Sequence, residues 1–346
     1  MSALEAVDDL TAVMLDLGRR ARAAAATLAF ADPAAKVRAF HAAADAIDDR
    51  RDDGGMGGGG GFGIPMGGGG GLGIGTIIVL GLLGYAFGID PRILIGGAEI
   101  LTGGGSAPSY QSDRQSNGGK TGAPKDEMGS FVSGVLGEID DRWSEIFKAS
   151  GQTYTGPRIV LFRNATNGGR CGMAQSAMGP FYCPPDQRIF LDTAFFREVE
   201  TRFRGCSGRA CKFTQAYIIA HEAGHHVQNL PGIIPRVTRM QQQAGSKVEA
   251  NQLQVRVELQ ADCLAGVWAN REKQKRPDFL EEGDIDAALQ TAAAIGDDTL
   301  QRQAQGRVVP DSFTHGSAEQ RKRWFMTGFQ QGSVQACNTF APGVRL

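Results

Sequence analysis

The order of apolar and polar residues predicts both helices and short strands in the second half of the chain. From Glu127 to Ala149, apolar side chains recur at the spacing of one helix face. The short apolar runs Arg158–Phe162 and Arg188–Asp192 are typical of strands, and Thr193–Phe203 is expected to be helical. The pattern therefore predicts an α+β fold, mostly helical with a small β-sheet.

Three further helices follow from local signals. One runs from about Phe213 to Asn229, where a Pro-Gly pair stops it, and another from about Lys247 to Arg271. A third is predicted over Ala318–Gln331, with Ser317 and Gln320 placed to form a capping box. Residues 171–185 contain Gly and Pro and are expected to form a loop region.

The first half of the chain has a different character. Residues 1–49 are rich in alanine and predict a short helical segment that buries too little surface to be a stable domain. Residues 48–53 form a run of Asp and Arg that is expected to be solvated. Residues 50–71 form a charged, glycine-rich linker, with glycine at 13 of the 18 positions from 54 to 71.

An uncharged stretch follows from Leu72 to Ile89. Its 18 residues would span roughly 27 Å as a helix, close to the ~30 Å hydrocarbon core of a bilayer. We therefore predict a single transmembrane helix at 72–89, in preference to a buried core helix. A flexible linker at 90–125 then leads to one globular domain at 126–346.

Charge and cysteines add two constraints. The formal net charge is −1, and no basic stripe favours nucleic acid as a partner. All six cysteines lie after the apolar stretch, which indicates disulfides in an oxidising compartment. The expected pairs are Cys171–Cys183, Cys206–Cys211 and Cys263–Cys337. Because all cysteines lie on one side of the apolar stretch, we expect a single-pass anchor in the cell membrane. The N-terminus would be cytoplasmic, and the globular domain would be periplasmic or extracellular.

The strongest chemical signal is the stretch His221-Glu222-Ala223-Gly224-His225 in the Phe213–Asn229 helix. Residues four apart share a helix face, so two imidazoles point the same way and can hold one zinc ion. Glu222 is then placed to take a proton from a zinc-activated water as a general base. The alternative is a pair of solvated histidines on a surface helix.

A catalytic zinc site takes three protein ligands, and here the third must come from elsewhere. The downstream histidine of the metzincin pattern is missing, because Gln228 stands at its glycine and Pro231 at its histidine. The best candidate is Glu258 on the Lys247–Arg271 helix. Asp262 lies four residues on and would accept the free ring N–H of a histidine ligand. The alternative is an ordinary exposed acidic pair.

The H-E-x-x-H helix followed by E-x-x-x-D resembles the gluzincin class of zinc peptidases. Several further motifs resemble the bacterial neutral zinc metallopeptidase family, which is anchored in the membrane by its N-terminal part. These motifs are Cys171-Gly172, Gly179–Pro184, Glu258–Cys263 and Thr314–Arg321. The resemblance covers about residues 48–346 and implies a zincin-like metallopeptidase domain. Residues 1–47 weakly resemble the N-terminus of glutamate-5-semialdehyde dehydrogenase, without its catalytic parts.

One group is still needed to stabilise the oxyanion of a tetrahedral intermediate. His315, at the start of the Ala318–Gln331 helix, is our candidate for this catalytic role, although a structural role beside the helix cap is equally open. Tyr182 and Tyr217 are further possible donors. His226 points away from the His221/His225 face and is expected to support the site or to be exposed.

The sequence thus predicts a membrane-anchored zinc metallopeptidase that hydrolyses peptide or protein substrates. Its expected cofactor is Zn²⁺, held by His221, His225 and Glu258, with Asp262 behind them. Glu222 is the expected general base. Two alternatives stay open, namely a zinc-binding envelope scaffold without hydrolytic activity and a zinc hydrolase of a non-peptide amide.

Overall fold

The computed structural model describes residues 46–51, 120–121, 126–201, 209–281, 283–294 and 296–346. The predicted transmembrane helix at 72–89, most of both linkers, the helical segment before residue 46 and Cys206 lie outside the described residues. Among the helices that are described, none is both long and apolar enough to cross a membrane.

Helix α1 spans Glu127–Ala149, the bounds that the apolar spacing predicts. Asp126 caps it, because its side chain accepts the N–H of Gly129 at 2.8 Å. The apolar face of the helix is buried in the main core, with Leu136 and Ile139 fully inaccessible. This helix packs against the two helices that carry the candidate site.

The strands form one five-stranded sheet and one small hairpin. The strands are β1 (Ile47–Asp49), β2 (Lys120–Thr121), β3 (Arg158–Phe162), β4 (Ala165–Asn167), β5 (Met173–Gln175), β6 (Phe181–Cys183) and β7 (Arg188–Asp192). The order in the larger sheet is β2-β1-β3-β7-β6, and β4 pairs with β5. Strands β1, β3 and β7 are parallel, while β2 and β6 run antiparallel to their neighbours.

The start of the described chain corrects one prediction. Residues 48–51 of the predicted solvated charge cluster (48–53) lie in and directly after β1, and their side chains are buried or partly buried. Ile47 is fully buried beside β3, and β1 pairs with β3 through three residues. The Arg51 side chain is 6% exposed and reaches both Asp49 and Asp126. Only one of the three β1 residues is apolar, so composition could not reveal this strand.

The region from residue 171 to 185 is also more ordered than predicted. It contains β5, β6 and short 3₁₀ turns, and the predicted disulfide Cys171–Cys183 joins the turn before β5 to β6. Strand β7 lies inside the sheet between β3 and β6. Among the described strands, the edge on this side of the sheet is therefore β6.

The remaining helices build the larger layer. They are α2 (Thr193–Thr201), α3 (Arg209–Asn229), α4 (Ile233–Gln243), α5 (Lys247–Lys275), α6 (Asp284–Ala294), α7 (Asp297–Gln305) and α8 (Ala318–Gln331). The predicted mostly helical α+β fold with a small sheet is confirmed. Helix α5 starts where predicted and ends four residues later, at Lys275 rather than Arg271.

Two close helix contacts bring the site together. A side chain at Gly224 of α3 would press on the backbone of Ala261 in α5, so glycine lets these helices approach. Gly328 of α8 likewise faces the backbone of α5 at Cys263. The predicted disulfide Cys263–Cys337 ties α5 to the turn after α8. The predicted capping box of Ser317 and Gln320 starts α8.

Candidate metal centre

Helix α3 presents His221 and His225 one turn apart, as the spacing predicts. Their ring centroids are 4.8 Å apart and the rings are nearly perpendicular. The surrounding turns of α3 are apolar and buried, so the helix is embedded in the core and its position is fixed by packing. The histidine pair is therefore held on a rigid element.

Glu258 of α5 completes the group. Its Oε2 atom lies 3.3 Å from His221 Nε2 and 3.5 Å from His225 Nε2. One ligand atom from each of the three residues lies within 4.8 Å of the others. The structure thus brings together the three residues that the sequence singled out across the α3–α4–α5 segment.

The electrostatics of this group suit a cation. Burial alone would raise the pKa of Glu258, but the two histidines outweigh it and hold that pKa well below its usual range. Burial disfavours protonation of His221, yet Asp262 and Glu258 prevail and raise its pKa to about 10. The site therefore attracts positive charge strongly. Two imidazoles and one carboxylate are a donor set that fits catalytic zinc.

Asp262 lies behind His221. Its Oδ1 atom is 2.8 Å from His221 Nδ1 and also accepts the Tyr217 hydroxyl at 2.6 Å. Arg321 of α8 donates to both Asp262 oxygens, at 2.9 and 3.0 Å. The ion pair with Arg321 keeps the Asp262 carboxylate ionised. The carboxylate can therefore fix the His221 ring with its Nε2 atom facing the site. Sequence reasoning missed the role of Arg321, although the residue lies in the Thr314–Arg321 motif.

The candidate base Glu222 is adjacent to this group. It is 8% exposed, and its burial raises its pKa, partly offset by the nearby His221 and His225. A raised pKa brings a carboxylate closer to the value at which it exchanges protons efficiently near neutral pH. The environment is thus suited to general base chemistry.

His315 lies at the loop before α8 with its side chain half-exposed. Its Nδ1 atom is 3.4 Å from Asp297 Oδ1, and Asp297 also accepts the backbone N–H groups of residues 314–316. The surrounding protein disfavours its charge, but Asp297 and Glu258 outweigh this and raise the pKa of His315. His315 therefore interacts electrostatically with Glu258. Its loop is held by hydrogen bonds to Asp297, a residue that the sequence did not indicate.

The other candidate donors have partners elsewhere. Tyr217 donates to Asp262, and the Tyr182 hydroxyl bonds with His226 Nδ1 at 2.9 Å. His226 is fully buried, and its Nε2 bonds with the carbonyl of Thr155 at 2.6 Å. This placement agrees with the expectation that His226 is not a metal ligand. The alternative expectation, that its side chain is exposed, is wrong. His315 remains the more accessible donor.

Comparison with known proteins agrees with these motifs. The family described as "Putative neutral zinc metallopeptidase" matches residues 38–340. The match begins before residue 48, where the recognisable motifs start, and so includes strand β1. No solved structure matches the chain.

Two relatives illustrate the similarity. The uncharacterized protein YpfJ of Escherichia coli K12 is 42% identical over 300 residues, which cover 87% of this chain and 97% of YpfJ. The uncharacterized protein Rv2575 of Mycobacterium tuberculosis H37Rv is 38% identical over 263 residues, covering 73% of this chain and 84% of the relative. From the family match and these identities, the chain belongs to the neutral zinc metallopeptidase family.

Proposed function

We propose that this protein is a zinc-dependent peptidase whose metal is held by His221, His225 and Glu258. The observation that carries the proposal is the convergence of these three side chains, within 4.8 Å of one another, beside the buried carboxylate of Glu222. Bound zinc would supply a Lewis acid that polarises a carbonyl group and makes water a better nucleophile. The donor atoms fit that ion in type and number.

The chain's own residues would handle the protons. Glu222 accepts a proton from the attacking water, and as a carboxylic acid it then delivers this proton to the leaving amine. Asp262 keeps the His221 ring oriented throughout. His315 donates a hydrogen bond to the oxyanion, and Asp297 and Glu258 raise its pKa, which favours the protonated form.

The sheet offers a place for a peptide substrate. Strand β6 is an edge strand of the described sheet, and Tyr182 within it bonds to His226, the neighbour of His225 in sequence. An extended peptide can add to such an edge through backbone hydrogen bonds. Strand β7 cannot serve as this edge, because it pairs with β3 on one side and β6 on the other.

The proposal is tested by Glu222→Gln in the full-length protein purified in detergent. We expect zinc content to stay at one ion per chain while hydrolysis of a peptide library falls by about 10²–10⁴-fold, since the base is lost. Glu319→Gln, which changes an exposed acid at the start of α8, is the matched control and should cleave normally. Undiminished cleavage by Glu222→Gln would refute the mechanism, and a wild-type protein that binds zinc without chelator-sensitive cleavage would favour a scaffold.

Location forms a second part of the proposal. We infer that the metal centre lies outside the cytoplasm, because the described residues contain the disulfides Cys171–Cys183 in the sheet region and Cys263–Cys337 on the helix that carries Glu258. The sheet adds a restriction, since β1 pairs with both β2 and β3. If residues 72–89 crossed a membrane once, β1 and β2 would be on opposite sides and could not pair. With this sheet formed, residues 46–51 are on the same side as the metal centre.

An epitope at the N-terminus separates the two arrangements. Protease is added to spheroplasts of a bacterium that expresses the full chain. We expect the epitope and the metal domain to be digested together, as the pairing of β1 requires. A protected epitope with a digested domain would instead support our sequence-based expectation of a cytoplasmic N-terminus and a single crossing.

A further inference from the structure

The two candidate histidine ligands are held from behind by chemically different groups. His221 Nδ1 faces the carboxylate of Asp262 at 2.8 Å. His225 Nδ1 faces the amide oxygen of Gln228 at 2.9 Å. Gln228 is fully buried one turn further along α3. The partner of His225 is therefore neutral and comes from the same helix.

The direction of the Gln228 amide is fixed by its surroundings. Its Nε2 atom donates to the backbone carbonyl of Val257 at 2.8 Å and to Gln260 Oε1 at 2.9 Å. A carbonyl oxygen can only accept, so the Val257 contact determines which end of the amide is nitrogen. The other end must then be the oxygen that faces His225. An amide oxygen accepts as well, so the hydrogen must be on His225 Nδ1.

The chain of hydrogen bonds continues, with the same donor-to-acceptor direction, from Gln228 to Gln260 and beyond. Gln260 is also fully buried, and its Nε2 atom donates to the backbone carbonyl of Cys337 at 3.0 Å. Cys337 is bonded to Cys263 of α5. A chain of three hydrogen bonds therefore runs from His225 through both glutamines to a carbonyl that the disulfide holds in place.

We propose that Gln228 and Gln260 are positioning residues that hold His225 with its hydrogen on Nδ1 and its Nε2 lone pair directed at the metal. This role rests on the zinc site proposed above and deepens it. The amide pair orients the ring without adding a further carboxylate to Glu258, Glu222 and Asp262. The metal thus keeps more of its positive charge, on which its action as a Lewis acid depends.

The first test measures zinc affinity by competition with a chelator, using the full-length protein. Gln228→Leu removes the acceptor and should weaken zinc binding by about 10- to 100-fold. Gln228→Glu keeps an acceptor oxygen at the same place and should bind zinc more tightly than the leucine variant. Gln260→Met interrupts the chain one step away and should have a smaller effect of the same sign.

Asn270→Leu is the control for the loss of a half-buried amide that donates to a backbone carbonyl. Asn270 lies on α5 and donates to the carbonyl of Phe329 at 2.7 Å, but it does not belong to the chain that reaches His225. It should keep the wild-type zinc affinity. If Asn270→Leu weakened zinc binding as much as Gln228→Leu, the effect would be general destabilisation and the proposal would fail.

A spectroscopic measurement separates positioning from packing. In zinc-loaded protein labelled with ¹⁵N-histidine, we expect a slowly exchanging Nδ1–H signal from His225, which disappears in Gln228→Leu and persists in Asn270→Leu. An unchanged signal or unchanged affinity in Gln228→Leu would overturn the inference. Neither measurement uses hydrolysis, so a protein that shows both effects but cleaves no peptide would refute the proposed function alone.

Discussion

Besides the candidate ligand Glu258, helix α5 carries two buried carboxylates, Asp262 and Glu272, about three turns apart. Each meets an arginine from another helix, yet the contacts differ. Arg321 donates two hydrogen bonds to Asp262, and His221 adds a third contact. Arg142 Nε approaches Glu272 at 3.1 Å, but among the described residues this atom makes no hydrogen bond.

The charge states differ accordingly. Burial would raise the pKa of both groups. At Asp262, Arg321 and His221 outweigh burial and hold the pKa below its usual range. At Glu272, burial prevails over Arg142, Glu138 adds repulsion, and the pKa rises to about 7. Depth alone therefore does not set the charge of a buried acid, because the neighbouring charges and the hydrogen bonds that they make also decide it.

The difference in charge state distinguishes the part of α5 near the candidate metal centre, which contains Asp262, from the end of the helix that contains Glu272. Asp262 is ionised at all physiological pH values and can orient His221 permanently. Glu272 changes its protonation near neutral pH at the far end of the helix, where α5 packs on α1. The two acids thus offer a matched pair of acid-to-amide substitutions on one helix.

The largest effect is expected for Asp262→Asn. The change leaves Arg321 buried without its full counter-charge, which should cost about 3–5 kcal/mol of unfolding free energy. It also weakens the acceptor behind His221, so zinc affinity should fall by about 10- to 100-fold. Urea unfolding and chelator competition measure the two effects, with Glu272→Gln as control. A variant with wild-type zinc affinity would show that Asp262 does not orient the ligand.

A smaller effect, with a distinct pH dependence, is expected for Glu272→Gln. Between about pH 4.5 and 7, folded Glu272 keeps a proton that the unfolded chain has released. Rising pH through this window therefore lowers the wild-type unfolding free energy, by on the order of 1–3 kcal/mol. Glutamine cannot titrate, so the decline should be smaller in the variant, which keeps only the contribution of groups such as Asp140, whose pKa burial raises to about 7.

Unfolding free energies measured from pH 4 to 8 test this directly. Arg142 keeps Glu145 as a partner at 3.2 Å, so the substitution should not unfold the chain. Equal slopes for wild type and Glu272→Gln would mean that Glu272 is ionised like Asp262, and the contrast between the two acids would disappear.

The sequence indicated one member of this pair because the signal was local. The spacing of Glu258 and Asp262 on a helix, after the H-E-x-x-H pattern, required only helix geometry. Helix α1, strands β3 and β7, the capping box of α8 and the disulfide Cys171–Cys183 were likewise predicted from nearby residues, whereas the predicted pair Cys263–Cys337 is 74 positions apart. These features together define most of the candidate metal centre.

The rest depends on contacts between distant segments. Arg321 lies 59 positions after Asp262, and Gln260 meets the carbonyl of Cys337 across 77 positions. Gln228 appeared only as a mismatch to another motif, and its role became visible through Val257. No periodicity reports such contacts, because they depend on how helices pack rather than on the pattern within one helix.

Strand β1 shows most clearly that distant contacts are hidden in the sequence. Arg51, which follows this strand, gives the smallest expected effect. Arg51 resembles Arg321 in binding carboxylates through several hydrogen bonds, here to Asp49 and Asp126, but Asp126 is half-exposed. Solvent weakens such a pair, so Arg51→Met should lower the unfolding free energy by only about 1 kcal/mol. Zinc affinity should not change, since no atom of this cluster reaches the metal centre.

Arg50→Met, which loses only its contacts to Asp48 and Asn167, is the control. A loss as large as that of Asp262→Asn would show that exposure of one partner does not weaken an arginine–carboxylate cluster in this fold.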